Sequence, residues 1–430
     1  MKASIVAAAA LLSSVGAAPP PPHPPPPPPP VLSLRLPTPS QPGPLASGPP
    51  QAESQLGTDE LADVGLRNLR LFLDAQRVNT KNVGPPGPKD AKKCTLENAA
   101  VRREWSALSE KEKKEYIAAV QCLAEKPSKT PSELAPGAKS RYDDFVATHI
   151  NQTLSIHGTG NFLTWHRYFT WAYEQALRNE CGYKGYQPYY NWPKWAEDPR
   201  KSPLFDGSDT SISGDGEFIA GRNNTCIPSP DACGISLPPG NGGGCLKSGP
   251  FKDFKVNLGP VVPVSANIPP NPQPDGLGYN PRCLSRDISL NASQGWTRDS
   301  SVVHLLKENP VYLDFATNMQ GNFPEGFLGV HTGGHFTIGA DPGGDLFASP
   351  GDPAFYFHHA MIDRSYWTWQ NLDVENRMFA LGGTLTVGNN PPSRNTTLDD
   401  VLNLGFVGVP EVQIRDAVDT LAGPFCYVYA

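Results

Sequence analysis

The chain has nine histidines, and six of them fall into two widely separated triplets: His149, His157 and His166, then His331, His335 and His359. Neutral imidazole is a ligand for copper, zinc, iron and nickel. Two sets of three on separate segments therefore suit a pair of metal ions. What is missing narrows the metal. No H-E-x-x-H occurs, which removes the zincin arrangement. No H-x-D or H-x-E occurs, which removes the commonest start of an iron facial triad, and no cysteine lies within either triplet, which argues against a blue-copper centre. Three imidazoles per ion leave open positions, and two copper ions so held can give O2 two electrons together. His23 and His304 read as ordinary surface or hydrogen-bonded histidines.

The spacings dictate the elements that must carry these residues. His331 and His335 are four apart, so on a helix both rings share one face. Gly333 and Gly334 lie between them at a helix cost of roughly 1 kcal/mol each; they leave room for a substrate or a close helix neighbour. His157 and His166 would stand about 13 Å apart on opposite faces of one straight helix. They can share an ion only if a helix starts between them, and His157-Gly158-Thr159-Gly160-Asn161 supplies the break. His149 then comes from the end of the preceding helix, over 138–149. His359 sits in a helix over 353–372, with Asp352 as N-cap and Pro353 at its first position. Four helical segments would converge, as in bundles that build metal sites in their cores. The expected fold is mainly α: a four-helix-bundle core holding a dicopper site, with long irregular loops and a few short β-strands. Further helices are expected over 61–76, from a capping box at Ser109 to Ala124, over 162–180 and over 300–320. Short strands are expected near 383–388 and at the C-terminus.

The neighbours of the histidines carry a resemblance. His149-x7-His157-x8-His166 and His331-x3-His335-x23-His359 resemble the CuA and CuB sites of the tyrosinase and catechol oxidase (polyphenol oxidase) family, over most of residues 95–430 and especially in its shorter secreted fungal members. Thr164-Trp165-His166-Arg167-Tyr168-Phe169 is similar to the family's CuA helix. Asp352-Pro353-Ala354-Phe355-Tyr356-Phe357-His358-His359-Ala360-Met361-Ile362-Asp363-Arg364 is similar to its CuB helix, and Tyr427-Val428-Tyr429 to its closing Tyr-x-Tyr. The resemblance implies two copper ions in a type-3 site, O2 as co-substrate and small phenols as substrates. It makes His359 the ligand and leaves His358 beside it. Asp363, one turn on, is placed to orient a ligand imidazole by a hydrogen bond, or else to pair with a nearby arginine. Phe355 and Trp165 read as packing around the site, and Leu346 as a gate above the copper pair.

Departures from the family pattern bear on activity. Residue 155 is Ser where many fungal members carry a cysteine joined to the second CuA histidine, so that crosslink is not expected. Pro188-Tyr189-Tyr190-Asn191-Trp192 replaces Pro-Tyr-Trp-Asp-Trp and loses a carboxylate. Thr332 follows the first CuB histidine where strong monophenol hydroxylases often have Asn. Asn322 stands where they tend to hold a water with Glu, leaving Glu325 as a substitute. These residues imply oxidation of o-diphenols, with methoxyphenols as an extension. The rivals are a tyrosinase that also hydroxylates monophenols, a non-catalytic O2-binding protein and a structural protein with adventitious zinc.

The remaining sequence fits an exported enzyme. Lys2, the apolar run Ile5–Leu12 and Val15-Gly16-Ala17 read as a signal peptide over 1–17. Residues 18–56 form a proline-rich linker or propeptide, with 17 prolines between positions 19 and 50. Residues 57–430 form the catalytic domain. Eight cysteines in an oxidising compartment allow four disulfides, and sequons begin at Asn151, Asn223, Asn291 and Asn395. The net charge of −6, with no basic run, argues against nucleic acid or anionic membrane as a partner. No C-terminal lid domain is expected after Tyr429, and the chain is expected to act as a monomer.

Overall fold

The computed structural model describes residues 56–80, 94–229, 231–262 and 268–430. The signal peptide and almost all of the proline-rich segment lie outside the described residues.

The longest helices do the positioning. They are α1 (Thr58–Thr80), α2 (Glu110–Glu125), α3 (Arg141–Ile156), α4 (Phe162–Cys181), α5 (Leu290–Trp296), α6 (Asp299–Glu308), α7 (Tyr312–Gln320), α8 (Gly329–Ile338) and α9 (Ala354–Leu372). Almost every residue of α9 is buried, from Ala354 to Asn371. A helix covered all round belongs at the centre of a core, and α9 lies there, packed against α1, α4 and α8. α3 is buried at every position from Arg141 to Ile150, and α4 at every position from Phe162 to Thr170, so the histidine-bearing parts of both lie inside the core.

Local chemistry explains the boundaries. Ser109 and Glu112 form a reciprocal capping box at the start of α2, as the sequence predicts. Ser140 and Asp143 do the same for α3. That second box moves the start of α3 to Arg141, and the helix runs on to Ile156 rather than ending at 149. His149 is therefore mid-helix. The helix expected over 300–320 is two helices, α6 and α7, because Asn309-Pro310 interrupts it. The Asp352 carboxylate accepts from the Ala354 N–H at 2.8 Å, so it caps α9 with the helix beginning at Ala354, one residue later than expected.

The strand expected near 383–388 is absent. That segment holds only an isolated bridge, Thr384 to Asn395, and a 3-10 turn at Val387–Asn389. The C-terminal strand is present: β4 (Tyr427–Tyr429) pairs in parallel with β1 (Ala100–Arg102). Between them in sequence, β2 (Thr225–Ser229) and β3 (Ala232–Leu237) make an antiparallel hairpin inside a stretch rich in Gly, Pro and Asn. Its own small core, with Ile227, Ile235 and Leu237, meets Ala292 and Leu328. All eight cysteines pair: Cys94–Cys426, Cys122–Cys181, Cys226–Cys233 and Cys245–Cys283. Two of these pairs staple the Gly- and Pro-rich region, which also sends Phe205, Ile212, Phe251, Leu258 and Leu284 into the main core.

Candidate metal centre

The helices bring all six histidines into the core. His149 and His166 project from α3 and α4. His157 is the C-cap of α3, and Gly158 follows it at φ +60°, a backbone conformation that a side chain resists. That residue makes the break on which the first triplet depends. The three rings stand 4.9 to 5.6 Å apart, centre to centre.

Backbone carbonyls fix the rings of this set. Nδ1 of His149 meets the Phe347 carbonyl at 2.7 Å, that of His157 the Thr153 carbonyl at 3.0 Å, and that of His166 the Phe162 carbonyl at 2.8 Å. A carbonyl only accepts, so each Nδ1 carries the proton and each Nε2 keeps a free lone pair. Buried Nε2 atoms of His149 and His166 have no protein partner. An orphaned buried acceptor costs free energy unless something fills it.

The second set lies on α8 and α9. Nε2 of His335 stands 3.2 Å from Nε2 of His331 and 3.2 Å from Nε2 of His359. One nitrogen cannot donate to both. Nitrogens at that separation match two ligands of one first-row ion bonded at about 2 Å. The sets touch each other as well: His166 stacks on His359 at 4.5 Å, and His157 faces His331 at 5.8 Å.

Burial keeps the rings neutral. It pulls His157 down to about 4 and His335 to about 3, and it pushes the other four well below their ordinary value, with the neighbouring imidazoles adding to the effect. Neutral rings with outward lone pairs in two sets of three are a fit for two soft or borderline ions.

The neighbours are partly as the sequence predicts. Phe355 stacks on His359 at 4.1 Å and meets His149 edge-on, so it packs between the sets. Trp165 stacks on Phe169 and donates to the Gln152 side chain. His358 lies in the second cluster with His331, His335 and His359. Neither of its ring nitrogens has a partner at normal geometry, although the His331 carbonyl bears weakly on it. Gly333 and Gly334 of α8 make room for neighbours rather than for substrate. A Cβ on Gly334 would fall 2.2 Å from Cε1 of His358, and one on Gly333 would fall 2.6 Å from Cβ of Trp296. Thr332 donates its hydroxyl to the Gln320 carbonyl at 2.6 Å. Leu346 is exposed on the loop between α8 and α9, next to Phe347. Glu325 is exposed at a tight turn closed by Asn322 and Phe327.

Asp363 does not orient a ligand. One of its oxygens accepts from Arg167 at 2.5 Å; the other accepts from Tyr427 and Tyr429 at 2.6 Å and from Arg102 at 3.3 Å. Burial alone would raise this carboxyl, but Arg167 and Arg102 outweigh it and hold it low. Sharing a helix face with His359 is not enough when two buried guanidiniums compete for the carboxylate. The group locks α9 to α4 and to the C-terminal strand instead.

Two contributors escape a reading of the sequence. Phe347 acts through its main chain, which leaves no side-chain signature. Asp59, on α1, accepts from Asn191 and pairs with Arg364 at 2.9 Å. The carboxylate missing at position 191 is thus supplied from a helix 132 positions away.

Comparison with known proteins agrees with this geometry. Residues 139–372 match the common central domain of tyrosinase. The chain belongs to the tyrosinase family. Members of this family use a dinuclear copper site with O2, and both histidine clusters lie inside the matched segment. The chain is 50% identical over 307 residues to the tyrosinase-like protein orsC of Emericella nidulans, spanning 69% of this chain and 80% of that protein. It is 40% identical over 354 residues to the N-acetyl-6-hydroxytryptophan oxidase ivoB of the same fungus, spanning 79% and 94%. Among solved structures, a polyphenol oxidase variant from Thermothelomyces thermophila superposes with a TM-score of 0.79 at 42% identity, covering 86% of this chain and 97% of that one. The chain is accordingly a tyrosinase-family copper oxidoreductase acting on phenols. No helix among the described residues is long and apolar enough to cross a membrane.

Proposed function

We propose that this family member is a secreted oxidase of o-diphenols, with His149, His157 and His166 holding one copper and His331, His335 and His359 the other. The observation that carries the reading is the pair of buried sets whose Nε2 atoms converge while three Nδ1 atoms are committed to carbonyls. Bound copper supplies electron transfer between phenol and O2. The protein's own part is to keep six imidazoles neutral and dry, to fix the tautomers of His149, His157 and His166 and to hold the sets in contact.

The overall chemistry balances without a protein acid or base. Each catechol gives up two electrons and two protons, and two catechols together reduce one O2 to two waters. Hydroxylating a monophenol asks for more, because a less acidic phenol must first lose its proton. Three features favour the simpler reaction. The Thr332 hydroxyl is turned to a main-chain carbonyl. Asn322 offers no carboxylate, and Glu325 is exposed on its turn.

A hydroxyindole is the second reading, favoured by the relative named for N-acetyl-6-hydroxytryptophan. Four disulfides, together with an N-terminal sequence that reads as a leader, support an oxidising, extracellular setting. A site assembled wholly within one chain supports action as a monomer. An aerobic assay of copper-loaded protein with catechol, guaiacol and tyrosine in parallel tests the activity. Quinone from catechol, with tyrosine inert, is the expected result. Oxidation of tyrosine without a lag would replace this reading with tyrosinase proper.

A further inference from the structure

The two histidine sets are joined by more than ring contacts, and the join runs through α7. At the start of this helix, the Tyr312 hydroxyl donates to the Gly160 carbonyl at 2.9 Å. At its end, the Gln320 side chain accepts from the Gly158 N–H at 2.7 Å. Gly158 is the residue directly after His157. The main-chain carbonyl of the same Gln320 accepts the Thr332 hydroxyl at 2.6 Å, and Thr332 is the residue directly after His331. A single residue therefore grips the chain beside one histidine of each set. Its side-chain amide also donates to the Ala316 carbonyl at 3.1 Å, one turn back, which fixes the direction of the acceptor oxygen.

The grip falls at two helix ends. His157 is not inside a helix. It caps α3, and the segment Gly158–Asn161 has no helical ladder to hold it. His331 sits in the first turn of α8, which has no side-chain N-cap. These two rings also face one another across the two sets, at 5.8 Å. The closest bridging pair, His166 and His359, comes from the interiors of two long helices.

We propose that Gln320 is a positioning residue that sets the separation of the two metal half-sites by clamping His157 to His331. The proposal rests on the copper-pair reading above. It predicts that Gln320 governs coupling between the ions rather than their capture, since each set keeps its own three ligands.

Two cupric ions in a close, bridged pair are silent in electron paramagnetic resonance, whereas uncoupled ions give a signal. The test uses full-length copper-loaded protein and compares the parent with Gln320→Met, Gln320→Glu and Thr332→Val. Methionine keeps the bulk and loses the acceptor; glutamate keeps an acceptor for the Gly158 N–H. Gln320→Met is expected to bind two coppers and to melt within about 4 °C of the parent. It should show a clear cupric signal and lose roughly tenfold in kcat, as small misplacements do. Gln320→Glu should restore most of the silence and the rate, and Thr332→Val should show the signal independently. A Gln320→Met protein as silent and as active as the parent overturns the proposal. So does one that loses copper and stability together and is not repaired in Gln320→Glu, because that is how a general fold residue behaves. A parent protein that fails to bind two coupled ions overturns the copper-pair reading instead, and the two failures are thereby distinguished.

Discussion

Nε2 of His335 stands 3.2 Å from Nε2 of His359, although the two residues lie 24 positions apart on different helices. Two neutral ring nitrogens do not approach lone pair to lone pair without something between them. The contact follows from the meeting of α8 and α9, where Gly334 lets the His358 ring close on the helix backbone. His359→Ala removes one of three donors from this set and leaves the other set whole. Metal analysis should find about one copper per chain rather than two, with catechol oxidation at background. Full copper content in this variant would show that His359 is not a ligand.

The Gly334 contact has an energetic consequence. Alanine is the better helix former by about 1 kcal/mol, yet a Cβ here overlaps the His358 ring at 2.2 Å. Overpacking of this kind costs about 1–3 kcal/mol. Gly334→Ala should therefore lower stability in a denaturant titration and weaken copper retention. Gly295, on α5, has open space around it. Gly295→Ala should raise stability by a few tenths to about 1 kcal/mol. Equal effects of the two changes would contradict the packing.

Asp59 is the carboxylate that meets the buried Arg364 and the neutral Asn191. Asp59→Asn leaves that guanidinium without an anion and should cost about 1–3 kcal/mol by chemical denaturation. The carboxylate is itself largely exposed, which argues for the lower half of that range. Asn191→Asp in the same chain should recover most of the loss. No recovery in the double variant would mean that α1 acts through its apolar contacts alone.

The histidine shifts have a definite sign. Burial lowers the folded-state values, with His157 near 4 and His335 near 3, below the ordinary 6.5. The unfolded chain therefore takes up protons first as pH falls. Metal-free protein should lose stability from about pH 6.5 downward, by about 1.4 kcal/mol per unit of depression for each ring, until the folded pKa is reached. Protons should also compete poorly for the folded ligands. Copper should stay bound through pH 5 on dialysis, and release centred between pH 6 and 7 would contradict this burial.

How far the site could be read from the sequence depended on what kind of signal each residue leaves. The six histidines, the break at Gly158 and the cap at Asp352 were legible because side-chain type and spacing express them directly. The resemblance to the tyrosinase family followed from those residues and their neighbours. The start of α3 was missed because the capping box of Ser140 and Asp143 is written with Asp in place of Glu, and its continuation from His149 to Ile156 was not legible. The partners of Asp363 depend on Arg102, Arg167 and two C-terminal tyrosines arriving from distant elements, so spacing along α9 could not reveal them. The hairpin of β2 and β3 is held by a disulfide and a small separate core, and its sequence has no clean alternation. Phe347 and Gln320 were invisible for a further reason: Phe347 acts through a main-chain carbonyl, which any residue has, and the side-chain partner of Gln320 is a main-chain N–H 162 positions away.

The central claim is that two copper ions in these six histidines oxidise o-diphenols with complete reduction of O2. Simultaneous measurement of oxygen uptake and quinone absorbance on copper-loaded protein with catechol tests it most directly. The account predicts two quinones for each O2 consumed and no hydrogen peroxide in solution. No uptake, or one quinone per O2 with hydrogen peroxide accumulating, would contradict it.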